Sequence, residues 1–369
     1  MNEKMNASSS QTEANNFELF QNLAQFDHEQ IVVCQDNNTG LKAIIAIHNT
    51  VLGPGLGGTR MWMYNNEQEA FNDALRLSRG MTYKAAISGL NLGGAKAVII
   101  GDPATQKTEA LMRKFGRFVE NLAGKYITAE DVGTTTKDME YVNMETDHVV
   151  GLPEILGGGG DPSPVTAYGV FVGMKAAAKK AYGNDSLAGK SVTVQGVGKV
   201  GYHLVEFLIK EGAIVYVSDI NKHNLELSAK LGATVIQANE VFSKKVDIFA
   251  PCAMGAILND QTIAELNASI VCGAANNQLD NDTIHGDQLK AKGILYAPDF
   301  LVNAGGLINV YSEYTGYIRE RAMAQAENIY NLTLDIFAKA DEDNINTQLA
   351  AIKLAEKRVH DVMLLKSTY

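Results

Sequence analysis

Gly196-Val197-Gly198-Lys199-Val200-Gly201, a G-x-G-x-x-G spacing, constrains this chain more than any other segment. Residues 191–195 before it carry the β-branched run Val192-Thr193-Val194 and read as a strand, and residues 202–210 after it read as helix. Alone, such a hexamer also suits a tight turn with no ligand. Between a strand and a helix it has a mechanism: the glycines let the backbone approach a pyrophosphate, whose charge is met by N–H groups at the helix start. The next strand-like run, 213–218, leads into Asp219, 23 positions past Gly196. A carboxylate there accepts hydrogen bonds from both ribose hydroxyls and repels a 2′-phosphate, which favours NAD over NADP. Lys222 and His223 nearby work against that preference. Gly196, Gly198, Lys199, Val200, Gly201 and Asp219 are therefore cofactor-binding candidates.

Further buried-strand runs at 234–236, 246–249, 270–273 and 293–296, separated by crossovers, predict a Rossmann-type doubly wound parallel sheet over 151–344. The region 17–150 is also α/β. It offers a strand at 41–48, a helix capped by Asn66 with Glu69 three residues on, a strand at 95–100 after an interruption at Gly93-Gly94, a helix at 108–122 and a strand at 125–128. Two domains with a cleft between them are expected, an N-terminal substrate and oligomerisation domain and an NAD domain. The four glycines at 157–160 suit a hinge, because they cannot sit in a regular element without a large entropic cost. Ser163 as N-cap with Pro164 at the first helical position starts a helix that Gly183 stops. An amphipathic helix at 347–364 is expected to return to the first domain, so that 345–369 completes it. The polar residues 1–16 read as a disordered tail.

Composition narrows the functional classes. Lys+Arg 32 against Asp+Glu 42 gives a net charge of −10, which argues against nucleic acid or an anionic membrane as the main partner. Cys34, Cys252 and Cys272 are sparse and show no metal-ligand spacing, so a reducing, cytoplasmic setting without a protein-bound metal is expected. No apolar run reaches the roughly 20 residues of a membrane helix.

Lys84 and Lys96, twelve positions apart, are the candidate chemical groups. A lysine buried beside another cation binds its proton less tightly and becomes a base near neutral pH; two solvated surface lysines are the plainer reading of the spacing. The surrounding text decides between them. Gly57-Gly58-Thr59-Arg60-Met61-Trp62, Arg79-Gly80-Met81-Thr82-Tyr83-Lys84, GLNLGGAKAVIIGD over 89–102, YITAEDVG over 126–133, PSPVTAY over 162–168, DIFAPCA over 247–253 and NAGGLINV over 303–310 closely resemble the glutamate/leucine/phenylalanine/valine dehydrogenase family, most of all its leucine-acting members. The resemblance runs in order from about 17 to 355.

The resemblance implies roles. Lys84 matches the lysine that holds the substrate carboxylate, with backbone at Gly57 and Gly58. Lys96 matches the catalytic lysine that activates water, and Asp131 the aspartate that interacts with the amine and relays protons. Asn277 matches an asparagine near the amine and the nicotinamide; Thr166 and Asn303 match cofactor-side positions. Where glutamate-acting members grip a side-chain carboxylate with lysine and serine, this chain has Leu56 and Val310. With Ala129 and Leu307 these imply an aliphatic pocket, since a carboxylate there would be desolvated without a partner. Leu307 departs from the smaller valine expected of leucine-acting members and should narrow that pocket. Cys252 lies in a family motif near the nicotinamide and reads as packing.

The implied activity is reversible NAD-dependent oxidative deamination of leucine, valine or isoleucine to the 2-oxo acid and ammonia by a homo-oligomer, an octamer by resemblance. A phenylalanine- or valine-acting enzyme of the family, or a catalytically silent NAD-binding regulator, is the alternative; the intact set of Lys84, Lys96 and Asp131 speaks against the regulator.

Overall fold

A computed structural model of the chain describes residues 19–366, so the tail expected at 1–16 lies outside the described residues. The first half comprises α1 (Leu19–Phe26), β1 (Gln30–Asp36), β2 (Leu41–Asn49), β3 (Gly55–Leu56), β4 (Thr59–Trp62), α2 (Glu67–Ile87), β5 (Gly93–Ile100), α3 (Glu109–Glu120), β6 (Tyr126–Ile127) and α4 (Thr136–Asn143). The second half begins with α5 (Ser163–Tyr182), β7 (Ser191–Gln195), α6 (Lys199–Lys210), β8 (Ile214–Ser218), α7 (Lys222–Lys230) and β9 (Thr234–Val235). It continues through β10 (Val246–Pro251), α8 (Asp260–Glu265), β11 (Ala268–Val271), α9 (Asp282–Ala291), β12 (Leu295–Tyr296) and α10 (Asp299–Val302). Helices α11 (Gly305–Tyr314), α12 (Arg319–Glu327), α13 (Ile329–Asp343) and α14 (Thr347–Lys366) close the chain.

The second sheet has the order β12-β11-β10-β7-β8-β9, parallel throughout. The strand order reverses at β7, and ligands of doubly wound sheets bind at the carboxyl ends of strands beside such a reversal. The G-x-G-x-x-G turn leaves β7 at that point. The first sheet has the order β1-β2-β5-β3-β6 with β4 beside β5; β1, β2 and β5 are antiparallel neighbours, whereas β3 and β4 run parallel to β5.

Three local expectations are corrected. Gly93 and Gly94 do not interrupt a strand but begin β5. A Cβ on Gly93 would lie 2.0 Å from the Asn49 carbonyl oxygen, and one on Gly94 would lie 2.1 Å from the Thr82 nitrogen, so these glycines let β2 and α2 close onto β5. Ser163 is the first residue of α5 rather than its cap, and its N–H donates to Asp161 Oδ1 at 2.9 Å. The turn at 196–201 is shorter than expected, because α6 already starts at Lys199. Strand β1, with Val33 73% exposed, carries too weak a hydrophobic alternation to be read beforehand.

One face of β5 packs through Ala95, Ala97 and Ile99 on Phe115 and Met112 of α3; Val98 on the other face packs with Phe71 and Leu75 of α2. Helix α14 packs on α2 and also on α9 and α13, so it touches both halves. Arg358 of α14 donates to the carbonyls of Ala86 at 3.1 Å and Leu90 at 2.7 Å, just where α2 runs out of N–H donors for its own last carbonyls. On the other connection, Glu313 of α11 accepts hydrogen bonds from the N–H groups of Leu152 and Gly159, both at 3.1 Å. One carboxylate thus holds the two ends of the segment that joins the halves.

A histidine pair lies under α2. His48 Nδ1 meets Thr82 Oγ1 at 2.7 Å and its Nε2 meets the Phe26 carbonyl at 2.9 Å; His28 Nε2 meets Ser78 Oγ at 2.9 Å, with the two rings 4.8 Å apart. Burial holds both imidazoles down to about 4. An unfolded histidine titrates near 6.5, so the unfolded chain takes up more protons between the two values. The stability these groups contribute is present above about pH 6.5 and is lost as pH falls through about 4. His48→Asn should therefore destabilise at pH 7 by an amount that shrinks on acidification; a melting-temperature gap that stays constant from pH 7 to 4.5 would contradict it.

Candidate active site

The halves enclose a cleft of about 1000 Å³. Lys84, in the last turn of α2, and Lys96, on β5, both line it, together with Asp131. Lys96 is 6% exposed, on the β5 face that α2 covers. Its Nζ lies 2.9 Å from Asp131 Oδ2, and the same oxygen accepts from Arg60 Nε at 3.0 Å. Burial drives the Lys96 ammonium below the ordinary lysine value, against the pull of Asp131. For Asp131 burial pushes the carboxyl up, but Lys96 and Arg60 outweigh it and hold the group below the usual carboxylate range. Lys84 is pulled down to about 8 by burial, with Asp299 opposing and Lys96 adding to the fall. The two lysines thus share one desolvated site, in which burial weakens the hold of each on its proton.

Leu56, Ala129, Leu307 and Val310 line the same cleft as an apolar wall. Gly58 lines it as well, whereas the Gly57 N–H donates to the Ile127 carbonyl at 3.2 Å and its carbonyl accepts from Tyr126 OH at 2.8 Å. Its glycine is needed because a Cβ would lie 1.8 Å from the Ala95 carbonyl oxygen, beside Lys96. Asn277 faces the cleft with a left-handed backbone, φ 51.

The second half offers the dinucleotide features together. Gly196 is left-handed, φ 91, and a Cβ on Gly201 would lie 2.1 Å from the Gly196 carbonyl oxygen, so the turn folds tightly onto α6. Gly198 is the N-cap, with no side chain capping the helix that Lys199, Val200 and Gly201 begin, and a Cβ there meets nothing within 4 Å. Asp219 Oδ2 accepts from Val197 N and Oδ1 from Asn221 N, both at 2.7 Å, which sets the carboxylate at the edge of the turn. Asn303 is 4% exposed; its Nδ2 donates to Asn276 Oδ1 at 2.8 Å, while its Oδ1 is buried without a partner among the described residues. A buried amide oxygen of this kind calls for a donor, and a nicotinamide carboxamide has one. Thr166 sits in the first turn of α5 against Gly305, its hydroxyl donating to the Pro162 carbonyl at 2.9 Å. These groups fit a nicotinamide dinucleotide. Burial pushes the Cys252 thiol up to about 12, which suits packing and not nucleophilic attack.

Sequence reading assigned no role to three groups around the site. Arg60, in the Gly57–Trp62 motif, also binds Asp73 Oδ2 at 2.9 Å, and Tyr64 OH donates to the same oxygen at 2.8 Å. Asp299 is a buried carboxylate in the cleft wall. An acid in the otherwise apolar run from Ile294 to Val302 was the available signal for it.

Comparison with known proteins is consistent over residues 28–148 and 157–366. Residues 28–148 match the family described as Glu/Leu/Phe/Val dehydrogenase, dimerisation domain, and residues 157–223 and 220–366 match Glutamate/Leucine/Phenylalanine/Valine dehydrogenase. The chain is 55% identical over 353 residues to leucine dehydrogenase of Geobacillus stearothermophilus, covering 95% of this chain and 96% of that one. It is 46% identical to phenylalanine dehydrogenase of Bacillus thermotolerans over 361 residues, 96% and 94% of the two chains. The crystal structure of L-tryptophan dehydrogenase from Nostoc punctiforme superposes with a TM-score of 0.84 at 47% identity, over 94% of this chain and 99% of that one.

Proposed function

The chain belongs to the glutamate/leucine/phenylalanine/valine dehydrogenase family, and from that premise we infer that it catalyses the reversible NAD-dependent oxidative deamination of leucine, valine or isoleucine to the 2-oxo acid and ammonia. The observation that carries this reading is the desolvated group of Lys84, Lys96 and Asp131 facing an aliphatic wall in one cleft.

Gly196, Gly198, Lys199, Val200 and Gly201 would hold the pyrophosphate, Asp219 the adenosine ribose, and Thr166 and Asn303 the nicotinamide end. Asp219 supports NAD over its phosphorylated counterpart, because a carboxylate repels a 2′-phosphate. A nicotinamide held there would supply the hydride acceptor for the amino acid's α-carbon. Lys84 neutralises the α-carboxylate at Nζ, aided by the backbone at Gly58. Lys96 in its neutral form takes a proton at Nζ from a water adding to the oxidised carbon. Asp131, held by Arg60, carries protons between Lys96 and the departing nitrogen. Asn277 orients the amine. Leu56, Ala129, Leu307 and Val310 enclose the side chain and leave a second carboxylate unpaired, which penalises glutamate.

We assign amino-acid binding to 17–150, completed by 345–369, and cofactor binding to 151–344. The match to a dimerisation domain supports a homo-oligomer, with an octamer as the stoichiometry for light scattering to test. Three free cysteines suit the cytoplasm. No helix among the described residues is long and apolar enough to cross a membrane.

NADH absorbance on mixing the chain with NAD and single L-amino acids tests the reading. The specificity constants for leucine, valine and isoleucine should exceed that for glutamate by about a thousandfold or more, in line with an unpaired buried charge. Valine should approach leucine, because Leu307 narrows the wall. A preference for glutamate would refute the pocket, one for phenylalanine the aliphatic assignment, and silence with cofactor bound would favour the regulatory alternative.

A further inference from the structure

The Lys84 ammonium makes no hydrogen bond or ion pair among the described residues. The groups around it are committed elsewhere. Asp131 Oδ2 is shared by Lys96 and Arg60, and Asp73 is taken by Arg60 and Arg76. His48 of β2 bonds Thr82, and Glu356 of α14 accepts from Tyr83 OH. Arg358 of α14 caps the end of α2, while Asp282 at the start of α9 interacts with Arg76 and Arg79. Of the acids that line the cleft, only Asp299 and Asp131 act on Lys84, and Asp299 is the first residue of α10, which packs on α2 from the other half. Asp299 is 4% exposed, and main chain holds both of its oxygens: Oδ2 accepts from Gln278 N at 2.8 Å and Oδ1 from Phe300 N at 2.7 Å. Gln278 directly follows Asn277 and is itself fixed by donating to the carbonyls of Gly273 at 2.8 Å and Ala275 at 3.0 Å. A left-handed backbone at a residue other than glycine persists only where its surroundings hold it, and Asp299 is part of what holds Asn277.

We propose that Asp299 is a positioning residue for the deamination, serving as the counter-charge that keeps Lys84 an ammonium ion ready for the incoming α-carboxylate and as the anchor that fixes Asn277 against the same substrate. The proposal rests on Lys84 being the carboxylate-holding group. Without Asp299, Lys84 and Lys96 would share a desolvated site with one carboxylate already engaged by Lys96, and Lys84 would lose its proton at lower pH. Burial has already brought Lys84 down to about 8, and the opposing pull of Asp299 keeps it from falling further. The charge sits on the cofactor half and the lysine on the amino-acid half, so the same pair ties carboxylate binding to the approach of the two halves.

The test is the affinity for isocaproate, an inert carboxylate of leucine's shape, measured calorimetrically with NADH bound and followed against pH. Affinity in the wild type should weaken on the alkaline side as Lys84 deprotonates. In Asp299→Asn the midpoint of that weakening should move down by about one pH unit, with affinity at pH 6.5 changed by less than about threefold. A midpoint that stays in place overturns the proposal. Should Asp299→Asn fail to bind NADH, Asp299→Ser is titrated in the same way, since its hydroxyl accepts one of the two amide bonds without charge. If neither variant binds NADH, the carboxylate serves only the fold and the proposal falls. Lys84→Met separates this from the underlying reading: it should abolish the alkaline limb, and if it leaves isocaproate affinity unchanged, the assignment of Lys84 fails and takes the inference with it.

Discussion

Lys96→Ala is expected to lower turnover by about a thousandfold or more while leaving NADH affinity within about twofold of wild type. The loss would be chemical, for a structural reason. Removing one member of a buried ion pair usually strands the other and destabilises the protein by about 3–5 kcal/mol. Here Asp131 keeps Arg60 at 3.0 Å from the same oxygen, so its charge stays paired. The dinucleotide features lie on the other half, at the turn between β7 and α6 and at the start of α5. On the proposed assignment, water addition to the oxidised carbon then lacks a base, because Lys84 serves the carboxylate. Stopped-flow turnover with saturating leucine, together with NADH fluorescence titration, reads both quantities; turnover close to wild type would remove Lys96 from the mechanism. Added small primary amines should restore part of the rate, which a purely structural defect would not allow.

Gly94→Ala should cost more than about 3 kcal/mol of stability and lose most activity with it. The added Cβ would lie 2.1 Å from the Thr82 nitrogen, 2.2 Å from Thr82 Oγ1 and 2.5 Å from the Ser78 carbonyl oxygen. Two of those atoms are main chain of α2, so the helix itself must move. Thr82 is two residues from Lys84 and Gly94 two from Lys96, so this one contact sets how close the two ammonium groups come. Gly80→Ala is the control on the same helix. Its Cβ meets nothing within 4 Å, and an exchange of glycine for alanine in a helix interior gains up to about 1 kcal/mol. Thermal melts of the two variants should move in opposite directions; a Gly94→Ala melt within a degree or two of wild type would mean that α2 does not rest on that glycine.

The same contact explains what could be read in the chain beforehand and what could not. The turn at Gly196–Gly201, its flanking strand and helix, and Asp219 form a local pattern, so the doubly wound half was legible down to the side chain. Lys84, Lys96 and Asp131 were legible because their motifs resemble a family; the spacing of the lysines alone left two surface residues equally acceptable. Gly93 and Gly94 were misread as a break because Asn49 and Thr82, the groups that require them to be glycine, lie many residues away. Nothing in the sequence shows that Ile127 accepts the Gly57 N–H. Arg60 and Asp299 share that reason: their roles are set by partners 71 and 21 positions distant, which only the folded chain brings together.

The polypeptide passes between the halves once through the segment that Glu313 clasps, and α14 then lies across both of them. An object tethered at a single spot can tumble about any direction. Tethered at two, it turns only about the line through them, as a door does on its frame. Opening and shutting of this enzyme is therefore expected to be described by one angle, so that every group on the cofactor side arrives at the amino acid together and in a fixed relation, without the search that a loosely strung pair of lobes would have to make.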